Sequence, residues 1–289
     1  MRALLFVPAD GGAKLDKAMA SGADAVIIDL EDSITPERKE NARVACLDFL
    51  QRMQPLKDRP KLLVRINGFD TGMTDADLDA IVAGQPDAVV FPKAEGGATV
   101  THLDAKLTAR EALTGIPEGS IKILAQAVES AAGLFAAGDY RNSSPRLIGI
   151  TWGPEDLSAE LGAEANRDEQ GQLTEPYRLA RSVCLYAAAA AKVPAIETVY
   201  VDFRNTEGLR RDTDDARRDG FSGRLAIHPA QVAVINAAFT PTPEQVDKAK
   251  AVIAAFAAQP GAGAVGIGGK MYDRPHLVRA KALLERVTP

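Results

Sequence analysis

The chain has 289 residues, 46% of them hydrophobic and 25% charged, with a formal net charge of -5 at pH 7. A length and apolar share of this size can bury one large core in a single main domain. The charges of both signs are mixed, which leaves no basic stripe for a nucleic-acid backbone, and the negative balance disfavours an anionic membrane surface.

From the N-terminus, Arg2 and a five-residue apolar run up to Pro8 are too short for a signal-peptide core or a bilayer span, and read as a first strand, 3–7. Seven further short runs rich in Val, Ile and Leu follow at 25–30, 62–66, 88–91, 121–128, 147–151, 196–201 and 225–227. Each shows little polar alternation, which is how a strand reads when a parallel sheet covers it on both faces. Between them, 14–21, 36–53, 75–83, 98–113, 130–137 and 176–191 carry apolar residues three and four apart and read as helices; 210–219 is a more polar case. Cys46 and Cys184 fall in such helical stretches and read as free core thiols in a reducing compartment. After the eighth strand comes an amphipathic stretch, 243–258, opened by Thr242 as an N-cap with Gln245 three residues on. Residues 259–269, rich in Gly and Ala, read as a flexible hinge before a last helix, 273–287, with Pro275 in its first turn. No apolar run is longer than a buried strand or helix needs, so a soluble, cytoplasmic protein is expected.

Eight strands alternating with helices fit a closed barrel or an open doubly wound sheet. The polar residues discriminate. Nearly every strand ends in groups that the apolar pattern does not need: Asp29, Glu31 and Asp32; Arg65 and Asn67; Lys93 and Glu95; Glu129; Glu155 and Asp156; Asp202; His228. A barrel gathers such groups from many strands on one face, whereas an open sheet concentrates them at one crevice. The expectation is therefore a (β/α)8 barrel over 1–240 with a hinged C-terminal helical extension, a lid, over 241–289.

Two acids, Glu129 and Asp156, follow adjacent strands and suit Mg2+, which keeps several waters and takes the rest of its shell from protein and substrate oxygens. Either could instead cap a helix N-terminus. Arg65 could hold a carboxylate or carbonyl oxygen in the barrel mouth, or form a structural ion pair with Glu31 or Asp32. Lys93 could form a Schiff base or be a paired, charged lysine beside Glu95. The three histidines are far apart in sequence and no zinc spacing occurs; no phosphate-loop or dinucleotide motif follows a strand.

Several blocks then fall into one order: Leu5-Phe6-Val7-Pro8, the run Gly22 to Ser33 with Asp29-Leu30-Glu31-Asp32, Val64-Arg65-Ile66-Asn67, Phe91-Pro92-Lys93-Ala94-Glu95, Val128-Glu129-Ser130-Ala131, Trp152-Gly153-Pro154-Glu155-Asp156-Leu157, Gly220-Phe221-Ser222-Gly223-Arg224, Ala226-Ile227-His228-Pro229-Ala230-Gln231 and Gly269-Lys270-Met271-Tyr272-Asp273. Together they resemble the citrate lyase β-subunit-like branch of the HpcH/HpaI aldolase superfamily over nearly the whole chain. The resemblance implies a (β/α)8 barrel, trimeric or hexameric, with Mg2+ (or Mn2+) on Glu129 and Asp156 and Arg65 on substrate oxygens. Gly153, Pro154, Glu155 and Asp156 would line the substrate pocket, with Asp29, Glu31, Asp32 and Lys93 behind them. Asp273 would be the catalytic acid/base, arriving on a lid from an adjacent subunit and raised in pKa by burial there.

The implied reaction joins or splits a 3-hydroxyacyl-CoA, of malyl-CoA, citramalyl-CoA or β-methylmalyl-CoA type, through a thioester enolate and glyoxylate or pyruvate. The alternatives are a citrate lyase β subunit working with an acyl carrier protein, a malyl- or citramalyl-CoA thioesterase, and a non-catalytic barrel subunit. Residues 10–13 lack the basic group with which relatives meet CoA phosphates, and Lys14 or Lys17 is the nearest substitute. Tyr272 and Pro154 also depart from the family pattern.

Overall fold

A computed structural model describes residues 1–287. In chain order the elements are β1 (Ala3–Pro8), α1 (Ala13–Met19), β2 (Ala25–Asp29), α2 (Lys39–Met53), β3 (Lys61–Arg65), α3 (Thr74–Ile81), β4 (Ala88–Phe91), α4 (Gly97–Thr114), β5 (Lys122–Val128), α5 (Ala131–Ala136), β6 (Leu147–Trp152), α6 (Pro154–Leu161), α7 (Glu175–Ala191), β7 (Ile196–Glu197), α8 (Thr206–Asp219), β8 (Gly223–Ala226), α9 (Pro229–Phe239), α10 (Pro243–Ala258), β9 (Ala264–Ile267), β10 (Lys270–Asp273) and α11 (Arg274–Glu285). They fall into two compact units, Met1–Asn236 and Ala237–Pro289. Among the described residues no helix is long and apolar enough to cross a membrane.

In the first unit β1 to β6 pair in sequence, β8 pairs with β1, and β7 with β8, all parallel. The ring is completed between β6 and β7 by a single parallel bridge, Ile150 to Ala195, where the Ile150 N–H donates to the Pro194 carbonyl at 3.0 Å. The unit is a (β/α)8 barrel. Side chains reinforce the thin seam: Trp152 Nε1 donates to Glu197 Oε1 at 2.6 Å, and Arg181 Nε, from α7, donates to Glu197 Oε2 at 2.6 Å.

The seventh strand is shorter than its apolar run. Beyond Glu197 the carbonyls of Thr198 and Tyr200 accept from Arg224 Nε at 3.1 Å and Gln231 Nε2 at 2.8 Å, so side chains take what a ladder would need. Two helices have no counterpart among the expected elements. α6 is a short helix with Pro154 in its first turn and Gly162 left-handed at its C-cap, and α9 starts at Pro229.

The barrel interior is filled by Leu4, Ala25, Ile27, Leu63, Ala88, Val90, Leu124, Ile196 and Leu225. Cys46 and Cys184 are both buried and unbridged, and burial pushes both thiols up.

In the second unit, Ala249, Val252 and Phe256 of α10, Val265 of β9 and Ala280 of α11 form a small core. Thr242 caps α10: its Oγ1 accepts from the Gln245 N–H at 3.3 Å, and Gln245 Oε1 accepts from the Thr242 N–H at 3.0 Å. The stretch read as a hinge, 259–269, carries a strand instead of irregular chain over Ala264–Ile267, paired antiparallel with Lys270–Asp273. Gly268 and Gly269 have φ of 55° and 75°, the two left-handed positions of a tight hairpin turn, so their purpose is turn geometry. Burial of Val265 then anchors the strand.

Candidate active site

Period two carries the barrel core upward into the site. Ala25 and Ile27 point inward, so Asp29 does too; Leu63 is followed two residues on by Arg65, Leu124 by Gln126, and Leu4 by Phe6. These four side chains border a cavity of about 450 Å³ at the carboxyl end of the strands, together with Glu129, Trp152, Gly153, Pro154, Glu155 and Asp156. The cavity thus brings together the two acids expected to hold a metal, Arg65, and the whole 153–156 block.

Glu129 is 3% exposed. Its Oε2 accepts from the Lys93 backbone N–H at 2.8 Å and its Oε1 from the Gln126 amide. Gly153 allows that approach, since a Cβ there would stand 2.6 Å from Glu129 Oε1. Burial pushes Glu129 up to about 8, and the nearby charges of Glu31 and Asp156 add to the shift. Asp156, in the first turn of α6, keeps its side chain 34% exposed beside the cavity. An acid pushed that high, next to other acids, is a site that a cation would relieve. Among the described residues no group of three or more His, Cys, Asp or Glu could hold a metal ion. A cation here would take two carboxylates and fill its shell from water and substrate, the habit of Mg2+.

Arg65 is tied on two sides. Its Nε and one terminal nitrogen donate to Asp29 at 2.7 and 2.8 Å, and the other terminal nitrogen lies 3.0 Å from Glu31 and 3.4 Å from Asp32. Phe6 lies under the guanidinium, 4.8 Å from ring centroid to carbon. Burial disfavours the charge of Arg65, but the hydrogen bonds and charge of Asp29 outweigh it and hold the guanidinium in its charged form. In Asp29, burial is likewise outweighed by Arg65, which keeps the carboxylate below its usual range. These contacts engage at most four of five N–H groups, so the ion pair with Glu31 and Asp32 and a remaining donor for substrate coexist.

Lys93 resolves as the paired lysine. Its Nζ donates to Glu31 Oε1 at 2.9 Å and stands 3.9 Å from Asp156. Burial opposes the charge, yet the hydrogen bond and charge of Glu31 raise the pKa overall, and Schiff-base formation needs the neutral amine. Its backbone is left-handed, with φ of 47°.

Of the other expected residues, Glu155 borders the cavity, while Lys14 and Asp273 do not. Glu155 accepts from Asn166 Nδ2 at 2.9 Å. Lys14 is exposed on α1 and is not among the residues bordering the cavity. Asp273 stands in the second unit as the residue before α11, its side chain 43% exposed. A hydrogen bond from His276 holds its carboxylate below the usual range, so the elevation expected from burial is absent in the single chain. Two supporting residues escaped the sequence: Gln126, and the buried Lys39, whose Nζ donates at 2.7 Å to the carbonyls of Leu30 and Glu31 and to Asn67 Oδ1. A lysine opening α2 carries no signal of that reach, whereas counting by two from Leu124 would have found Gln126.

Residues 2–229 match the model of a family described as HpcH/HpaI aldolase/citrate lyase. The citrate lyase subunit beta of Leuconostoc mesenteroides subsp. cremoris is 34% identical over 286 residues, covering 98% of this chain and 92% of its own length. The (3S)-malyl-CoA thioesterase of Cereibacter sphaeroides is 32% identical over 287 residues, 99% and 94% respectively. A crystal structure of the protein CitE from Mycobacterium tuberculosis, in complex with magnesium, acetoacetate and coenzyme A, is similar with a TM-score of 0.79 and 33% identity, covering 100% of this chain and 98% of that one.

Proposed function

The chain belongs to the HpcH/HpaI aldolase/citrate lyase family, and from that premise we propose a magnesium-dependent enzyme that makes or breaks the carbon–carbon bond of a 3-hydroxyacyl-CoA. It is a carbon–carbon lyase of the oxo-acid type. The products of cleavage would be an acyl-CoA and glyoxylate or pyruvate. The observation that carries this reading is Glu129, a buried acid pushed up to about 8 and bordering the same cavity as Asp156. Magnesium and coenzyme A occur together in the related CitE structure, which supports both as ligands of this chain.

Glu129 and Asp156 would hold the ion. When bound there, Mg2+ supplies Lewis-acid polarisation of the substrate's hydroxyl and carboxylate oxygens. Arg65, fixed by Asp29, offers its remaining N–H to the oxo-acid oxygens as charge develops on them. Phe6, Trp152, Val199, Leu225 and Ile227 give the cavity apolar walls that exclude water from the reacting thioester. Asp273 takes the hydroxyl proton; the electrons of the breaking bond pass to the thioester as an enolate, which is then reprotonated to the acyl-CoA. Because Asp273 is exposed and held low by His276 in one chain, we assign its working place to the cavity of an adjacent subunit in a homotrimer or hexamer, where that subunit buries it.

The test is a panel of acyl-CoAs assayed against glyoxylate and pyruvate, with Mg2+ and with EDTA and no carrier protein. Condensation that needs Mg2+ and fails in Asp273→Asn supports the lyase. Release of free CoA from a malyl or citramalyl thioester with no oxo-acid exchange would favour hydrolysis instead, the activity named for the Cereibacter sphaeroides relative. Turnover only on a carrier-bound thioester would favour the role of a citrate lyase β subunit.

A further inference from the structure

Gln126 faces the cavity with one polar function used and one left over. Its amide donates to Glu129 Oε1, while the backbone N–H of Lys93 donates to Oε2 at 2.8 Å. The residue is 5% exposed, and its own Oε1 is buried with no hydrogen-bond partner. A buried amide oxygen without a donor is disfavoured and calls for an explanation. Turning the amide over does not remove the difficulty, because it puts the NH2 group where no acceptor stands. Thr151, the register partner of Gln126 on β6, has an unpartnered buried Oγ1 of its own and is a competing donor that the ladder brings near.

We propose that Gln126 is a positioning residue for the metal centre. Its amide N–H orients Glu129 so that the free lone pairs of the carboxylate face the cavity. Its carbonyl oxygen accepts a hydrogen from a water carried in the shell of the bound divalent cation. The inference rests on the reading of Glu129 and Asp156 as the protein ligands of that ion. Mg2+ dehydrates reluctantly and keeps several waters, each an O–H donor, so an acceptor fixed beside a ligand selects for it; Ca2+, with more direct and more flexible oxygen ligands, depends on such a contact less.

The experiment titrates the full chain calorimetrically with MgCl2 and with CaCl2, comparing wild type, Gln126→Met and Thr151→Val, with metal-free melting curves for each. Gln126→Met is expected to keep the metal-free melting temperature and to weaken Mg2+ binding by about 10- to 100-fold, with a smaller loss for Ca2+. Thr151→Val should leave both affinities within about two-fold of wild type. Should Gln126→Met fold poorly, Gln126→Leu carries the same expectation. Mg2+ affinity unchanged in the Gln126 variants overturns the inference, as does an equal loss for both ions that tracks a lowered melting temperature. A loss reproduced by Thr151→Val also overturns it, by assigning the oxygen to the threonine hydroxyl. Wild-type protein that binds no Mg2+ sinks the proposed lyase site as well, whereas wild-type binding with unaffected Gln126 variants sinks only this step.

Discussion

A methyl group added at Gly153 would stand 2.6 Å from Glu129 Oε1 and 2.9 Å from its Cγ, closer than any real side chain tolerates. Something must shift, and Glu129 is already held by the Gln126 amide at that same Oε1 and by the Lys93 N–H at Oε2. Gly153→Ala is therefore expected to weaken Mg2+ binding by about ten-fold or more, as disturbance around a metal site commonly does. Titration that gave wild-type affinity would show that Glu129 is not a ligand, or that the site has slack that the contacts do not suggest. Glu129 also makes a prediction for the metal-free protein. Its folded-state pKa, pushed up to about 8, lies above the roughly 4.3 of the unfolded chain, so the fold favours the neutral acid. The stabilisation is fully present below about pH 4 and is lost as pH rises through 8. In EDTA, the melting temperature of wild type should fall relative to Glu129→Gln between pH 5 and 8.5; parallel profiles would remove the burial account. The site's acids and Arg65 were legible in the sequence because charge stands out at the end of an apolar strand. Lys39 was not, since a helix-start lysine looks like an ordinary solvated residue until the chain is closed into a ring; Gln126 carries no charge to stand out, and only its place two residues beyond the inward Leu124 marks it.

Elements were readable where one period ran long enough, as in α2, α4 and α7, and unreadable where side chains took over the work of the backbone. β7 shows this: its apolar run continues past Glu197, but Arg224 and Gln231 bind its carbonyls and end the ladder. β9 failed for the opposite reason, because its Gly and Ala content looked like slack chain while Gly268-Gly269 set a tight turn. The seam beside β7 is where a mutation should tell most. Arg181, on α7, pairs with the buried Glu197, which in turn fixes Trp152. Arg181→Met would leave that carboxylate buried without its cation, and loss of one partner from such a pair costs about 3–5 kcal/mol. Urea unfolding should show a loss of that order, and a change below about 1 kcal/mol would mean that backbone bonding alone closes the barrel.

At the level of the molecule, the alternation of strands and helices together with polar strand ends was enough to anticipate the barrel. The number of subunits was not, because nothing in one chain's periodicity encodes its neighbours. A ligand that binds only the folded chain stabilises it by mass action, and at a hundred-fold excess over Kd the gain is about 2.7 kcal/mol. Trp152, the single tryptophan, borders the cavity, so its fluorescence melt should move upward with saturating Mg2+ and return with EDTA. A melt indifferent to Mg2+ would argue against an ion beside it. The one-bridge closure between β6 and β7 bears on which walls of the cavity are fixed by backbone and which by side chains. Mechanically the barrel has seven laddered joints and one held by a single backbone bridge together with the Trp152–Glu197–Arg181 contacts. Glu129 and Asp156 both lie on the β5–β6 side of that joint, so the spacing of the two acids is set by continuous ladder, whereas Thr198 and Val199 face the same cavity from the β7 side, across the one joint that side chains have to complete.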